Sequence, residues 1–146
     1  MFERIDSLVS QHGFALLSWE DKFSKGIWVA MSPVELHLVA LQDEATGIDD
    51  SDVEHVSGYV LETDWMPIAT GKTFLQAMDM IEQRLARLPS GALDRNSRWC
   101  DLVYQALASL QEASFETKRA AGQTIRERLE PLPATYEQAA AAAPVG

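Results

Sequence analysis

Residues 64–85 read DWMPIATGKTFLQAMDMIEQRL, and they mark the point at which a predicted sheet gives way to a helix. The letters GKT at 71–73 match the end of a phosphate-binding loop of the form G-x-x-x-x-G-K-[ST]. Met66 stands where that loop requires its first glycine, and Pro67 has no N–H to offer a phosphate. The stretch therefore predicts the start of a structural helix, and we expect no specific binding of ATP or GTP.

The helix predicted from this start has a capping box and one apolar stripe. Thr73 is a favourable N-cap residue, and Gln76 lies three residues later, as a capping box requires. Apolar residues then recur at helical spacing until Pro89, which cannot continue a helix. The stripe consists of Phe74, Ala77, Met78, Ile81, Leu85 and Leu88.

The residues before this helix are predicted to form strands. Four segments have the composition of strands: residues 14–20, 26–31, 34–42 and 55–65. In residues 34–42, apolar side chains alternate with polar ones, which is the two-residue period of a half-buried strand. Short connections between consecutive strands are typical of an antiparallel meander. A short amphipathic helix over residues 2–12, ended by Gly13, precedes the strands.

Helical patterns continue beyond a predicted hinge at residues 89–97. A second apolar stripe at helical spacing consists of Trp99, Val103, Ala106 and Leu110. This stripe must be buried, either on the sheet or against a second copy of the chain. Helical character resumes as far as Pro131 and Pro133, so we expect two helices or one long bent helix. The tail ATYEQAAAAAPVG has low complexity.

The predicted fold class is α+β, with an antiparallel meander of about four strands, a short helix before it and two to three helices after it. We predict a domain at residues 1–89, a helical segment at 90–133 that packs on it or self-associates, and a tail at 134–146. The order helix, meander, helix resembles double-stranded-RNA-binding domains and HicB-type antitoxins. No motif of either occurs, and Lys72 is the only base near the helix start, so no family is assigned.

The charge of the chain is concentrated in one region. The 146 residues contain 22 acids and 12 bases, for a net charge of −10. Residues 26–71 contain nine acids and no Lys or Arg, whereas the rest of the chain has 13 acids and 12 bases. Such a field repels nucleic acid and favours basic partners. We therefore expect a basic protein partner and no direct contact with nucleic acid.

The cysteine count and the N-terminus favour a cytoplasmic protein. Cys100 is the only cysteine, so no disulfide can form within the chain, which fits a reducing compartment. The first residues, MFERIDSLVSQHGF, carry early charges and do not form a signal peptide. No apolar run approaches the roughly 20 residues of a spanning helix, so we expect a soluble protein without membrane contact.

Few residues have the spacing of a chemical site. Glu35 and His37 lie two apart on a predicted strand and could be ligands from one face, although a metal needs three or four such groups. Cys100 follows Trp99 inside a helical stripe, where a small packed thiol is the expected state. We predict no catalytic residue, no cofactor and no metal. Four tryptophans are present, and one left exposed would be a candidate interface anchor.

The most distinctive surface is predicted to be the acidic segment 43–54, interpreted as a loop between two strands. The residues predicted to bind a partner are Asp43, Glu44, Asp49, Asp50, Asp52, Glu54, Glu62 and Asp64. We expect an acidic inhibitor or regulator of a nucleic-acid-handling protein, similar in charge and size to bacterial immunity, anti-restriction and anti-CRISPR proteins. Two alternatives stay open: an adaptor that self-associates through its C-terminal helices, and a small metal-binding protein or enzyme using Glu35 and His37.

Overall fold

A computed structural model describes residues 1–21, 26–47, 50–119 and 124–142. The elements follow in the order α1 (Glu3–Ser10), β1 (Ala15–Glu20), β2 (Ile27–Ser32), α2 (Glu35–Ala45), α3 (Asp50–Leu61), β3 (Ile68–Gly71), α4 (Phe74–Ala86), α5 (Arg98–Arg119), a 3-10 turn (Ile125–Glu127) and α6 (Tyr136–Ala142). The fold class is α+β, as predicted, with a three-stranded antiparallel sheet and six α-helices in these ranges.

The sheet has the order β1-β2-β3, so the central strand is β2. Trp19 lies opposite Trp28 across the first pair of strands, and their rings stack with centroids 5.3 Å apart. Val29 lies opposite Ala69 across the second pair, and both are fully buried. The two predicted N-terminal strands are thus confirmed, and the strand paired with β2 on its other side comes from residues that directly precede α4.

The strand predicted over residues 34–42 is wrong, because these residues form helix α2. The segment satisfies two periods at once. Its alternation of apolar residues suggested a strand, but Leu38, Leu41 and Ala45 also recur at the i, i+3, i+7 spacing of a helix. The structure buries this second set and leaves Leu36 67% exposed. Packing against other helices selects the helical period, since α2 contacts both α3 and α5.

The strand predicted over residues 55–65 and the loop predicted over residues 43–54 are also wrong. Helix α3 occupies Asp50–Leu61, and residues 43–45 are the last turn of α2. Val53, Val56 and Val60 are buried at helical spacing. These β-branched residues, a type common in strands, therefore form the buried face of a helix. The sheet consequently has three strands within the described ranges, and two helices connect β2 to β3.

The predicted start of α4 is confirmed. The Oγ1 of Thr73 accepts a hydrogen bond from the backbone N–H of Gln76 at 3.1 Å. In return, the side chain of Gln76 accepts from the backbone N–H of Lys72 at 2.9 Å, one residue before the expected donor. The helix ends at Ala86 and buries most of the predicted stripe, although Phe74 at its first turn is exposed.

The C-terminal stripe is buried within the chain. Trp99, Val103, Ala106 and Leu110 lie on α5 and belong to the same core cluster as the sheet residues. All four tryptophans are buried, so none is available as an exposed interface anchor. Within the described ranges the helical region is one helix as far as Arg119, and residues 120–123 lie outside those ranges. The divisions after residues 89 and 133 stay predictions.

Helix α1 is fixed to α4 by a carboxylate. The side chain of Glu82 accepts hydrogen bonds from the backbone N–H groups of Arg4 at 3.0 Å and Ile5 at 3.2 Å. These donors lie in the first turn of α1, whose N-cap residue Phe2 offers no side-chain acceptor. No helix in the described ranges has the length and apolar character that crossing a bilayer requires.

Candidate partner-binding groove

The eight carboxylates predicted to bind a partner are distributed over several elements. Asp43 and Glu44 lie in the last turn of α2. Glu54 lies in α3, Glu62 directly follows that helix, and Asp64 lies in the connection to β3. The prediction at Asp49 lies outside the described residues. Asp50 and Asp52 belong to the first turn of α3, and the structure describes their backbone but not their side chains.

Two of these carboxylates hold the fold together. The half-buried Glu44 accepts a hydrogen bond from the hydroxyl of Ser114, which ties α2 to α5. Asp64 accepts from the backbone N–H of Tyr136 at 2.9 Å, at the start of α6, and its own N–H donates to the carbonyl of Ala134 at 2.9 Å. Because both side chains have internal partners, they are less available to a partner protein than the sequence suggested.

Two other carboxylates flank a groove. Glu54 and Glu62 are exposed, and both line a depression of about 440 Å³ between α3 and the chain that precedes α6. The other lining residues are His55, Gly58, Tyr59, Thr63, Pro131, Leu132 and Ala134. No ion pair between described residues includes Glu54 or Glu62. The groove therefore combines a partly apolar lining with two carboxylates that have no cationic partner among these residues.

Gly58 lines the groove between the two carboxylates. It lies four residues from both Glu54 and Glu62, so the three share one face of the helical segment. A Cβ atom at Gly58 would lie 3.7 Å from the carboxylate carbon of Glu62. The Glu62 side chain thus turns back along the helix axis toward Glu54, as side chains of helices generally do. The absence of a side chain at Gly58 leaves open space beside this carboxylate.

The far wall of the groove is the segment of residues 129–135, which accepts hydrogen bonds from His55 and from the buried Trp65. The Nε2 of His55 lies 3.2 Å from the carbonyl oxygen of Leu129, and the indole of Trp65 donates to the carbonyl of Pro133 at 2.9 Å. Pro131 and Pro133 exclude a helix here because proline has no N–H to donate. The wall is therefore positioned by the core.

Tyr59 lies at the base of the groove and is fixed there. Its hydroxyl donates to the carbonyl of Ala106 on α5 at 2.8 Å. Burial raises the pKa of Tyr59 well above its ordinary value, because a buried phenolate would lose its hydration. The phenol stays neutral at physiological pH, and its ring forms part of the groove surface. Its hydrogen bond to Ala106 connects the groove directly to helix α5.

Glu35 and His37 are not brought together. They lie on helix α2, where residues two apart point about 200° from each other, and not on a strand face. Glu35 is exposed and His37 is buried against Tyr104, with ring centroids 5.3 Å apart. Burial lowers the pKa of His37, and its Nδ1 has no hydrogen-bond partner. The described residues contain no group of three or more His, Cys, Asp or Glu arranged to hold a metal ion.

Cys100 is a packed thiol near the start of α5. It is buried, and burial raises the pKa of its thiol. Because the thiolate is the reactive form, this environment suppresses nucleophilic chemistry at neutral pH. Its backbone N–H donates to the hydroxyl of Ser97, which caps the first turn of the helix.

The sequence interpretation missed Gly58 and the wall segment as parts of a site. Glu54, Gly58 and Glu62 lie four residues apart, a spacing that corresponds to about 6 Å along a helix but about 13 Å along a strand, and residues 55–65 are predicted to form a strand. The wall segment had no local signal, since contacts 68 residues apart in sequence bring Pro133 to Trp65.

Comparison with known proteins adds no relative: no protein-family model, no curated protein and no solved structure matches this chain.

Proposed function

We propose that this chain is a non-enzymatic interaction protein that acts as an acidic inhibitor or regulator of a basic, nucleic-acid-handling protein. The observation that carries the proposal is the groove flanked by Glu54 and Glu62, two carboxylates that belong to residues 26–71, a region without any Lys or Arg. Bacterial immunity, anti-restriction and anti-CRISPR proteins act in this general way, with carboxylates occupying a surface that otherwise binds phosphates.

Electrostatics determines how such an inhibitor would act. Like charges repel one another on the free protein, so a basic partner relieves repulsion as well as adding attraction. This electrostatic attraction accelerates association and makes the affinity depend strongly on salt concentration. Raising the ionic strength from 0.1 M to 1 M shortens the Debye length from about 10 Å to about 3 Å, so the complex should dissociate over this range.

The test compares two variants of equal charge. The first replaces four acids of the basic-free region with the corresponding amides: Asp49, Asp50, Asp52 and Glu54. The control replaces four exposed acids elsewhere: Glu20, Glu112, Glu127 and Glu137. Each protein is immobilised, exposed to an extract of its source organism and eluted with increasing salt. The proposal requires a basic, nucleic-acid-handling protein that the wild type and the control retain and the first variant releases.

Competition then checks the mode of action. The captured protein is mixed with duplex DNA or structured RNA and titrated with wild-type protein, which should displace the nucleic acid. Equal capture by both variants together with a flat salt response would reject the proposal, because charge in the basic-free region would then have no part in binding.

A second candidate function is self-association through α5. Tyr104 and Phe115 are 46% and 58% exposed, and eleven residues, about three helical turns, place them on one face of α5. This face differs from the predicted stripe, which is buried. Sedimentation at increasing concentration tests the idea: self-association that Phe115→Ser abolishes and Glu112→Gln preserves supports it, whereas a monomer at all concentrations excludes it.

A further inference from the structure

We infer that the groove between α3 and the wall segment receives one arginine side chain from an exposed segment of the partner. The inference rests on the proposed function, because it takes the partner to be basic, and it identifies the group that the partner inserts. Three properties of the groove lead to it: the placement of its two carboxylates, the character of its lining and its size.

Both carboxylates line the groove, one on each side of Gly58 along the helical segment. The carboxylate of Glu62 lies 3.7–3.8 Å from the position that a Gly58 Cβ would take. Glu54 lies one turn before Gly58, and one turn corresponds to about 6 Å of helix rise. An arginine side chain in the groove therefore has Glu62 beside Gly58 and Glu54 one turn away as acceptors for its N–H groups. Neither carboxylate has a described ionic partner that it would have to leave.

The lining favours a guanidinium over an ammonium group. Pro131 and Leu132 form an apolar wall opposite the acidic helix, with Tyr59 beneath. Arginine can lay its methylene groups along such a wall while its charged end stays beside the carboxylates. A guanidinium is more weakly hydrated than an ammonium group and presents paired N–H donors to a carboxylate, so it loses less on entering a partly dry groove.

The size of the groove and the number of its ligands exclude larger and smaller occupants. A depression of about 440 Å³ admits a side chain but not a helix or a strand pair. A divalent cation such as calcium takes six or more oxygen ligands. Two carboxylates do not supply them, and the Nε2 of His55 in the same lining lies 3.2 Å from the carbonyl oxygen of Leu129. The described residues contain no group of three or more His, Cys, Asp or Glu arranged to hold a metal ion.

The experiment titrates the full-length, nitrogen-15-labelled protein with three blocked peptides. Each peptide is a glycine–serine heptamer with arginine, lysine or citrulline at its centre, and amide shifts are followed by NMR. The arginine peptide should produce saturable shifts of residues 54–63 and of Leu132 and Ala134. The lysine peptide should bind more weakly, and the uncharged citrulline peptide should not bind.

Variants locate the contact. Glu62→Gln removes one charge and should weaken the arginine peptide about tenfold, the usual scale for losing one charge-assisted hydrogen bond. Gly58→Ala keeps both charges and places a methyl group in the space beside Glu62, so it should also weaken binding. Glu35→Gln also removes one negative charge, but from an exposed position on α2, and should leave binding unchanged. The spectrum of each free variant verifies that the fold is intact.

The possible results separate this inference from the proposed function. Shifts that never saturate, lysine binding equal to arginine, or full binding by Gly58→Ala would overturn the arginine groove. If the peptide fails in this way while the variant with amides at positions 49, 50, 52 and 54 still loses its natural partner, the proposed function stands and the inference of an arginine is wrong. If the peptide binds as expected but that variant captures the partner as well as the wild type does, the proposed function is wrong and the groove has another basic ligand.

Discussion

The indole Nε1 of Trp99 donates a hydrogen bond to the backbone carbonyl of Trp65 across 2.8 Å of the buried core. Trp65 in turn donates its own indole N–H to Pro133 in the wall of the groove. The two tryptophans thus connect the long helix α5, the loop before β3 and the C-terminal wall segment. The groove on the surface is consequently positioned by a hydrogen-bond chain that begins in the centre of the protein.

Trp99→Phe should lower the free energy of unfolding by about 2–3 kcal/mol. The change leaves a buried carbonyl without its donor and removes part of a fully buried ring that stacks on Phe14. Urea denaturation measures the loss. Tyr104→Phe, on the exposed face of the same helix, is the control and should change stability by less than about 0.5 kcal/mol. A loss below that value in Trp99→Phe would show that the bond is dispensable.

Thr73→Ala should cost about 1 kcal/mol, because it removes the acceptor for the first turn of α4. Lys72→Ala is the matched control. Lys72 is exposed and contributes its backbone N–H to the cap, which alanine keeps. Both are measured by urea denaturation, and similar losses in the two variants would contradict the capping role. Micromolar ATP binding that disappears in Lys72→Ala would contradict the rejection of a phosphate-binding loop.

Gly58→Ala should raise the free energy of unfolding by about 0.5–1 kcal/mol, since alanine is the better helix residue and the new Cβ makes only ordinary contacts. Gly71→Ala should do the opposite. A Cβ there would lie 2.8 Å from the backbone nitrogen of Ala77, a contact that requires the start of α4 to move, at a cost of about 1–3 kcal/mol. Thermal and urea unfolding of both variants test this difference in sign.

Glu82→Ala should destabilise the protein by about 2–3 kcal/mol, because two N–H groups of α1 lose their acceptor. Glu82→Gln keeps one acceptor oxygen and should lose less. Glu116→Ala, which removes only an exposed contact with Arg119, is the control. Hydrogen exchange should show faster opening of α1 in Glu82→Ala, and unchanged exchange there would argue against this anchor.

The free energy of unfolding should decrease in mild acid because His37 is buried in its neutral form. Burial lowers its pKa in the folded state, so below the ordinary value of about 6.5 the unfolded chain binds a proton that the folded chain does not. The free energy of unfolding of the wild type should therefore decrease relative to His37→Leu as the pH drops below that value, by at most about 1.4 kcal/mol per pH unit.

The comparison for His37 is a series of urea titrations between about pH 5 and pH 8, the range in which histidine changes charge. Leu36→Gln, which alters an exposed residue of the same helix and adds no titratable group, should follow the wild type. If His37→Leu and the wild type show the same dependence on pH, the histidine titrates in the folded protein as it does in the unfolded chain.

Local sequence determined the features that depend on neighbours along the chain. The cap formed by Thr73 and Gln76 joins residues three apart, so their identities were sufficient to place the start of α4. The hairpin strands β1 and β2 were likewise predictable, since one short connection and two apolar runs define them. The concentration of acids in residues 26–71 is a property of the sequence alone.

Tertiary structure decided what the sequence left ambiguous. Residues 34–42 fit both a strand and a helix, and only contact with α3 and α5 selects the set of side chains that is buried. The groove depends on a similar selection at residues 55–61, because Glu54 and Glu62 lie about 12 Å apart along a helix but about 26 Å apart along a strand. Its far wall depends on hydrogen bonds from Trp65 and His55 to residues more than 60 positions away. Local patterns carry no information about such pairs, because burial is a property of the assembled core and not of any single segment.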